Sequence, residues 1–255
     1  FPKEFLKELN SRGVDQNGLK LVEGGKSFFW EGSYHDDFIG RDTLLTELNV
    51  LEGWSPIVPD EAKNIEFVML DNLDPSVQAS VLDQMSTKPR LVVLDTMNFW
   101  MDIAMDSLKS VIRRVNVLMI NDDEARQLSG KDSLTNAAEE IHKLGPETVV
   151  IKKGEHGALM FENSKRFFVP AYPLDEVVDP TGAGDTFAGG FIGLLASKKS
   201  TGWEEKKQAI VAGAVLASFT CEEFGTKRLS ELTKNDWQER VKNLQEMSRV
   251  EPLFL

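Results

Sequence analysis

The segment Val178-Asp179-Pro180-Thr181-Gly182-Ala183-Gly184-Asp185-Thr186-Phe187-Ala188-Gly189-Gly190 brings together residue types that handle an anion. Gly182 and Gly184, with Ala183 between them, leave almost no side chain where turn residues give way to an apolar stretch reaching about Ala196. Such a stretch predicts a helix, and a helix begins with N–H groups that have no partner inside it and with the positive end of its dipole. Amides in that position cradle phosphate. Asp185 falls in the first helical turn, where aspartate is common simply because it interacts well with the dipole. A cap accounts for Asp185 but not for the bare turn before it, nor for the oxygens of Asp179 and Thr181 just upstream. A carboxylate beside a bound phosphate can instead take the proton from an incoming hydroxyl. Two other phosphate-binding patterns fail on spacing. From Gly184 a P-loop would need lysine after Gly189, where Gly190 stands, and a dinucleotide fingerprint from Gly182 would need a small residue where Phe187 stands.

The run D-P-T-G-A-G-D-T-F-A-G-G resembles the C-terminal signature of the ribokinase (PfkB-type) carbohydrate and nucleoside kinases along its whole length. The resemblance implies that Asp185 is the general base toward the substrate hydroxyl and that Gly182, Ala183 and Gly184 form an anion hole for the transferring phosphoryl group. Phosphoryl transfer is mostly positioning and charge stabilisation, so a base beside a nest of amides is a sufficient protein contribution once a metal is present. Some members of the family hold a monovalent cation with oxygens at the positions of Asp179 and Thr181, which leaves a potassium site open there.

Four short apolar, β-branched runs must position this segment: Ile65 to Leu70, Leu91 to Leu94, Val115 to Ile120 and Thr148 to Ile151. Helical stretches such as Pro75 to Met85 and Met101 to Arg114 separate them. That rhythm predicts right-handed βαβ crossovers and a parallel sheet buried on both faces. Ligands of such sheets gather beyond the carboxyl ends of the strands, which makes the polar residues after each run candidates by position: Asp71 and Asn72, Asp95 and Asn98, Asn121 and Glu124. Asn121-Asp122-Asp123-Glu124 reads locally as a helix cap with Glu at the third position. It also matches the family's N-x-x-E motif, which implies that Asn121 and Glu124 act through water on the magnesium accompanying ATP. Asp71 is a weak substrate candidate by the same resemblance. Asp95 and Asn98 fit the family's D-x-N segment imperfectly, because the asparagine comes one residue late, and they receive no role.

Val149 to Met160 reads as a strand entering and leaving a Gly-x-x-Gly turn, ordinary hairpin chemistry. The family's K-x-G-x-x-G segment lies beside the nucleotide, which implies contacts from Lys153 and Gly154, with Gly157 needed for the bend. Glu204 to Cys221 is a long helix rich in small residues, suited to close helix packing. The resemblance places adenine near it and near the glycine of the following loop, Gly225. Asp236 to Ser248 is an amphipathic closing helix. No His/Cys/Glu spacing suits zinc, and His35, His142 and His156 read as surface residues.

Ahead of the repeats lie a helix over Pro2 to Leu9, a hairpin of Leu19–Glu23 and Lys26–Glu31 about Gly24-Gly25, and a strand within Thr43 to Leu51. The family places a sheet from this region as a lid over the substrate that also makes a homodimer contact. Phe28, Phe29, Trp30 and Tyr34 accordingly read as core or interface. The expected organisation is a lid over about 13–60 and an α/β kinase core of 1–12 and 61–255. The fold class is a three-layer ribokinase-like α/β fold with a mainly parallel central sheet. The opening residues resemble the part that follows the family's first strand-helix units, so an N-terminal portion with substrate contacts is expected to be missing.

At 255 residues and 41% hydrophobic content the chain can bury a full core. A net charge of −12 argues against nucleic acid or an anionic membrane as partner. Cys221 is the single cysteine, which fits a reducing cytoplasm, and no apolar run approaches membrane-spanning length. The reading is therefore a cytoplasmic, ATP- and Mg2+-dependent phosphotransferase acting on an alcohol of a sugar or nucleoside. A non-catalytic nucleotide-binding module is the alternative, and a Rossmann oxidoreductase is disfavoured by Phe187.

Overall fold

The computed structural model describes residues 1–34 and 41–250. They form two compact units, residues 1–65 with 76–89 and residues 66–75 with 90–255.

In the first unit helix α1 (Lys3–Ser11) precedes a two-stranded antiparallel sheet of β1 (Phe29–Tyr34) and β2 (Arg41–Glu47). Phe29 stands opposite Glu47, Tyr34 opposite Arg41, and the register shifts between Glu31 and Gly32. Helix α2 (Pro75–Asp83) falls almost wholly in this unit. The hairpin expected about Gly24-Gly25 does not form. Gly25 N–H closes a turn onto the Val22 carbonyl at 3.1 Å, but the flanking residues up to Phe28 are not strands. Leu19, Leu21 and Val22 are 47%, 60% and 48% exposed. Alternation specifies register only where one face is buried, and here neither is. The partner of β1 comes instead from Arg41–Glu47, which takes in the first part of the stretch Thr43 to Leu51 where a strand was expected, and beyond it the chain enters a short 3-10 turn with Asn49 at φ +50°. Phe28 and Phe29 are each 46% exposed and are not core.

The second unit is a six-stranded sheet in the order β3 (Phe67–Leu70), β4 (Leu91–Asp95), β5 (Val117–Asn121), β6 (Thr148–Lys152), β7 (Ala158–Glu162), β8 (Lys165–Val169). The first four strands are parallel, and β7 and β8 are added antiparallel. The expected single helix over Met101 to Arg114 is two helices, α3 (Asn98–Ile103) and α4 (Met105–Ile112), broken at Ala104. After β5 come α5 (Asp122–Ser129) and α6 (Leu134–His142). After β8 come α7 (Ala183–Lys198), α8 (Trp203–Thr220), α9 (Lys227–Glu231) and α10 (Lys234–Met247). The mainly parallel α/β architecture is thus as read from the apolar runs.

Period two sorts the strand residues between the faces. Leu91, Val93, Val117, Met119, Val150 and Met160 join Phe187, Phe191, Leu195, Ile210, Val215 and Phe219 of α7 and α8 in one core. The alternate set, Val92, Leu94, Leu118, Ile120, Val149 and Ile151, is equally buried, with α5 and α6 lying against β5 and β6. The small residues of α8 do what their size allows. A Cβ on Gly190 would lie 3.1 Å from the Gly213 Cα, and one on Gly213 would lie 2.6 Å from the Phe187 carbonyl oxygen. Helices α7 and α8 therefore cross backbone to backbone.

Candidate functional site

The loop before α7 is fixed at both ends. Val178 N–H donates to the Cys221 carbonyl at 2.8 Å, tying the loop to the end of α8, and Asp179 Oδ1 accepts from Thr181 N–H at 2.9 Å. Gly182, at φ +82°, turns the chain into the helix in a conformation that L side chains rarely adopt, and its carbonyl accepts the Thr186 N–H at 2.9 Å. Thr220 Oγ1 donates to Thr186 Oγ1 at 2.9 Å, holding the first turn of α7 to the last of α8. Of the three amides expected to form an anion hole, Ala183 N–H is taken by the Pro180 carbonyl at 3.1 Å. Those of Gly182 and Gly184 have no hydrogen-bond partner among the described residues. Asp185 is exposed in the first turn.

The carboxyl ends of the parallel strands meet this helix entrance. Asp71 directly follows β3, Asp95 ends β4, and Lys152 ends β6. Oxygens of Asp71, Asp95 and Asp185 all lie within 4.8 Å of one another. Lys152 Nζ donates to Asp95 Oδ2 at 2.5 Å, with side chains only 17% and 5% exposed, and Asp95 Oδ1 accepts the Thr96 N–H at 2.8 Å. The ammonium sits so near α7 that a Cβ on Gly184 would be 3.3 Å from it. Burial disfavours the charged lysine, but Asp95, Glu124 and Asp185 outweigh that and hold Lys152 above the ordinary lysine range. For Asp95, burial dominates and pushes the carboxyl up, with Asp71 adding to it and Lys152 opposing. The physical state of the pair is an ammonium facing more than one carboxylate.

Asn121 and Glu124 form a capping box on α5: Glu124 N–H donates to Asn121 Oδ1 at 2.8 Å and Asn121 N–H to Glu124 Oε2 at 2.7 Å. Glu124 is 4% exposed, and its charge is one of those that raise the Lys152 pKa. Lys153 N–H donates to the Gly157 carbonyl at 2.8 Å, and Gly154 and Gly157 take positive φ on either side of a 3-10 turn joining β6 to β7. A Cβ on Gly157 would fall 2.0 Å from the Val169 carbonyl oxygen, so only glycine fits that bend. Gly225, at φ +64°, is exposed in the loop between α8 and α9. His156 is exposed, but His142 is half-buried, with Nδ1–H donating to the Pro146 carbonyl at 2.8 Å; it is not the surface residue expected. His35 lies outside the described residues.

Sequence reasoning missed Lys152 and Asp95. It chose the neighbouring Lys153, although the K-x-G-x-x-G spacing that ends at Gly157 begins at Lys152, and it set Asp95 aside because Asn98 came one residue late. The signal was present: both end parallel strands, where ligand-binding groups collect. Val150 packs against α7, and period two puts Lys152 on that same face.

The description of the pfkB family carbohydrate kinases matches residues 1–233. A cytidine kinase of Thermococcus kodakarensis is 32% identical over 198 residues, 75% of this chain and 69% of that protein. An ATP-dependent 6-phosphofructokinase of Thermoanaerobacterium thermosaccharolyticum is 36% identical over 43% of this chain, a match spanning 33% of that protein. In fold, the chain superposes on the Methanocaldococcus jannaschii nucleoside kinase, an archaeal member of the ribokinase family, with a TM-score of 0.72 at 20% identity, covering 94% of this chain and 76% of that one. Among the described residues no helix is long and apolar enough to cross a membrane. The chain belongs to the pfkB family of carbohydrate kinases and, with it, to the carbohydrate and nucleoside kinases.

Proposed function

We propose that the chain transfers the terminal phosphoryl group of ATP to an alcohol of a sugar or nucleoside, with Asp185 as general base. The observation that carries this is an exposed carboxylate in the first turn of a helix whose entrance keeps the Gly182 and Gly184 amides unclaimed. Membership of the family implies the use of ATP. The alcohol oxygen forms the new bond to phosphorus, the bond to the bridging oxygen of ADP breaks, and the alcohol proton passes to Asp185. The two amides and the dipole of α7 stabilise the charge on the transferring group without having to reorient.

The oxygen donors Asn121 and Glu124 fit a hard divalent cation, and the charge of Glu124 is felt at Lys152 beside the entrance of α7. Through water they would hold magnesium, whose chemistry is to neutralise phosphate charge. Asp179 and Thr181 are the proposed potassium donors, Lys153, Gly154, Gly157 and Gly225 the proposed nucleotide contacts, and Asp71 a proposed contact to the acceptor. The strands within 13–60 are the proposed lid and homodimer contact, and the cytoplasm the proposed location.

An ADP-release screen with ATP, Mg2+ and a panel of nucleosides and sugars, cytidine among them, tests the reading. Asp185→Asn should lower turnover by about 10²–10⁴-fold while nucleotide affinity stays within a few-fold, because the base is lost and the amides remain. Unchanged turnover in that variant discards Asp185 as base. ATP binding with no turnover on any acceptor favours the non-catalytic module.

A further inference from the structure

A carboxylate just past the end of a helix is in the wrong place for that helix, whose dipole favours cations there. Glu222 stands two residues beyond the last residue of α8 and is matched by two arginines. Arg240 of α10 donates to its Oε1 at 2.5 Å and Arg228 of α9 to its Oε2 at 3.0 Å. The Arg240 guanidinium also lies over the Phe219 ring, 3.6 Å from its centroid, stands 4.7 Å from that of Tyr172, and donates to Ser218 Oγ at 3.1 Å. A planar cation held by an acid, a hydroxyl and an aromatic face has few ways to move. The end of α8 is thereby fastened to α10, although Arg240 lies beyond the residues 1–233 that the family description matches.

The same end of α8 carries the entrance of α7. Over three successive residues, Thr220 Oγ1 donates to Thr186 Oγ1, the Cys221 carbonyl accepts the Val178 N–H at 2.8 Å and the Asp179 N–H at 3.4 Å, and Glu222 takes the two arginines. What fixes Glu222 therefore fixes the attachments of the loop and first turn that present the Gly182 and Gly184 amides and Asp185. We propose that Arg240, acting through Glu222, is a positioning residue for that entrance, so that the closing helix α10 sets the geometry of a site built on α7. The inference rests on the kinase reading above and deepens it by naming a residue that reaches the reacting groups through two other elements. An entrance held in this way is aimed before any nucleotide arrives, and a small displacement of it costs rate more than affinity.

The test compares the native chain with Arg240→Met, Glu222→Gln and Leu244→Ala by hydrogen exchange without ligand and by steady-state kinetics with ATP, Mg2+ and an acceptor from the screen above. Arg240→Met keeps an apolar stem of similar length and leaves Glu222 paired with Arg228; Glu222→Gln serves if that variant does not fold. Leu244, 2% exposed on α10, is the control, because truncating it loosens the packing of the helix and leaves the arginine pair in place. Arg240→Met should speed amide exchange over 178–186 by about tenfold or more, and Leu244→Ala should change it by about threefold or less. In the folded variant kcat should fall by about tenfold or more while the KM for ATP stays within about threefold, the split expected when alignment in the transition state is lost and ground-state binding is not. Either readout within about threefold of native in whichever of the two cluster variants folds overturns the assignment, as does an equal loss in Leu244→Ala. If Asp185→Asn abolishes turnover and Arg240→Met leaves it unmoved, only the role of Arg240 is lost. If the native chain turns over no acceptor, the kinase reading falls and takes this one with it, whatever the exchange shows.

Discussion

At the scale of single residues, the site depends on what is absent as much as on what is present. Gly184 has ordinary helical backbone, so alanine there should help α7 by about 0.5–1 kcal/mol through helix propensity. Its Cβ would nevertheless press on the Lys152 ammonium at 3.3 Å, and that ammonium is tethered to Asp95. Gly184→Ala should therefore leave the melting temperature unchanged or raised while turnover falls by about tenfold or more, a separation that steady-state kinetics beside a thermal melt will show. The glycine turn and the helix that carries Asp185 in its first turn were legible in the sequence, because small turn residues pass there directly into an apolar run. The ion pair behind them was not. Motif spacing and strand ends point to Lys152 and Asp95 one at a time, but that the two pair beside α7 depends on which side of the sheet α7 covers, and no local pattern states that. The three-amide hole was likewise read too generously, since only the folded loop shows the Pro180 carbonyl claiming the Ala183 N–H.

At the scale of elements, the far end of the sheet carries a second buried ion pair that has no part in the chemistry. Lys206 of α8 bonds Glu162 of β7, and both meet Thr148 Oγ1, Lys206 Nζ at 2.9 Å and Glu162 Oε2 at 2.9 Å. Burial raises the Glu162 pKa, but the bonds from Lys206 and Thr148 overcome it and hold the carboxyl below the ordinary glutamate range. A depressed carboxylate contributes stability above its unfolded pKa and loses it as pH falls through the folded one. Lys206→Met should therefore cost about 3 kcal/mol at neutral pH, and the gap from native should close as pH drops through the carboxylate range, as urea melts at stepped pH will show. The bend at Gly157 makes a separate prediction. Alanine there combines a positive φ with a contact to the Val169 carbonyl and should destabilise by more than about 1 kcal/mol. The strands β3 to β6 were legible because each is a buried apolar run bounded by turn residues. The hairpin about Gly24-Gly25 was misread because alternation without a buried face selects no register.

For the whole molecule, the two compact units predict where a nucleotide is felt. ATP alone should slow amide exchange over 152–157 and 179–186 and leave β1 and β2 unchanged, which mass-resolved hydrogen exchange can map. Protection of β1 and β2 by ATP without acceptor would contradict that division. With a net charge of −12 the chain as a whole repels an anionic nucleotide, so the proposed reaction needs local dipoles and a cation to hold it. The overall α/β class followed from the alternation of runs. The backbone crossing of α7 and α8 sets how that local geometry is kept. The Phe187 carbonyl, two residues past Asp185, rests against Gly213 with no room for a methyl group. The placement of the proposed base, Asp185, is thus gauged by a residue of the neighbouring helix. If Asp185 is the base proposed above, a bulkier neighbour at 213 would shift its carboxylate as surely as a change at the entrance itself, and such a variant would keep every proposed site residue yet turn over slowly.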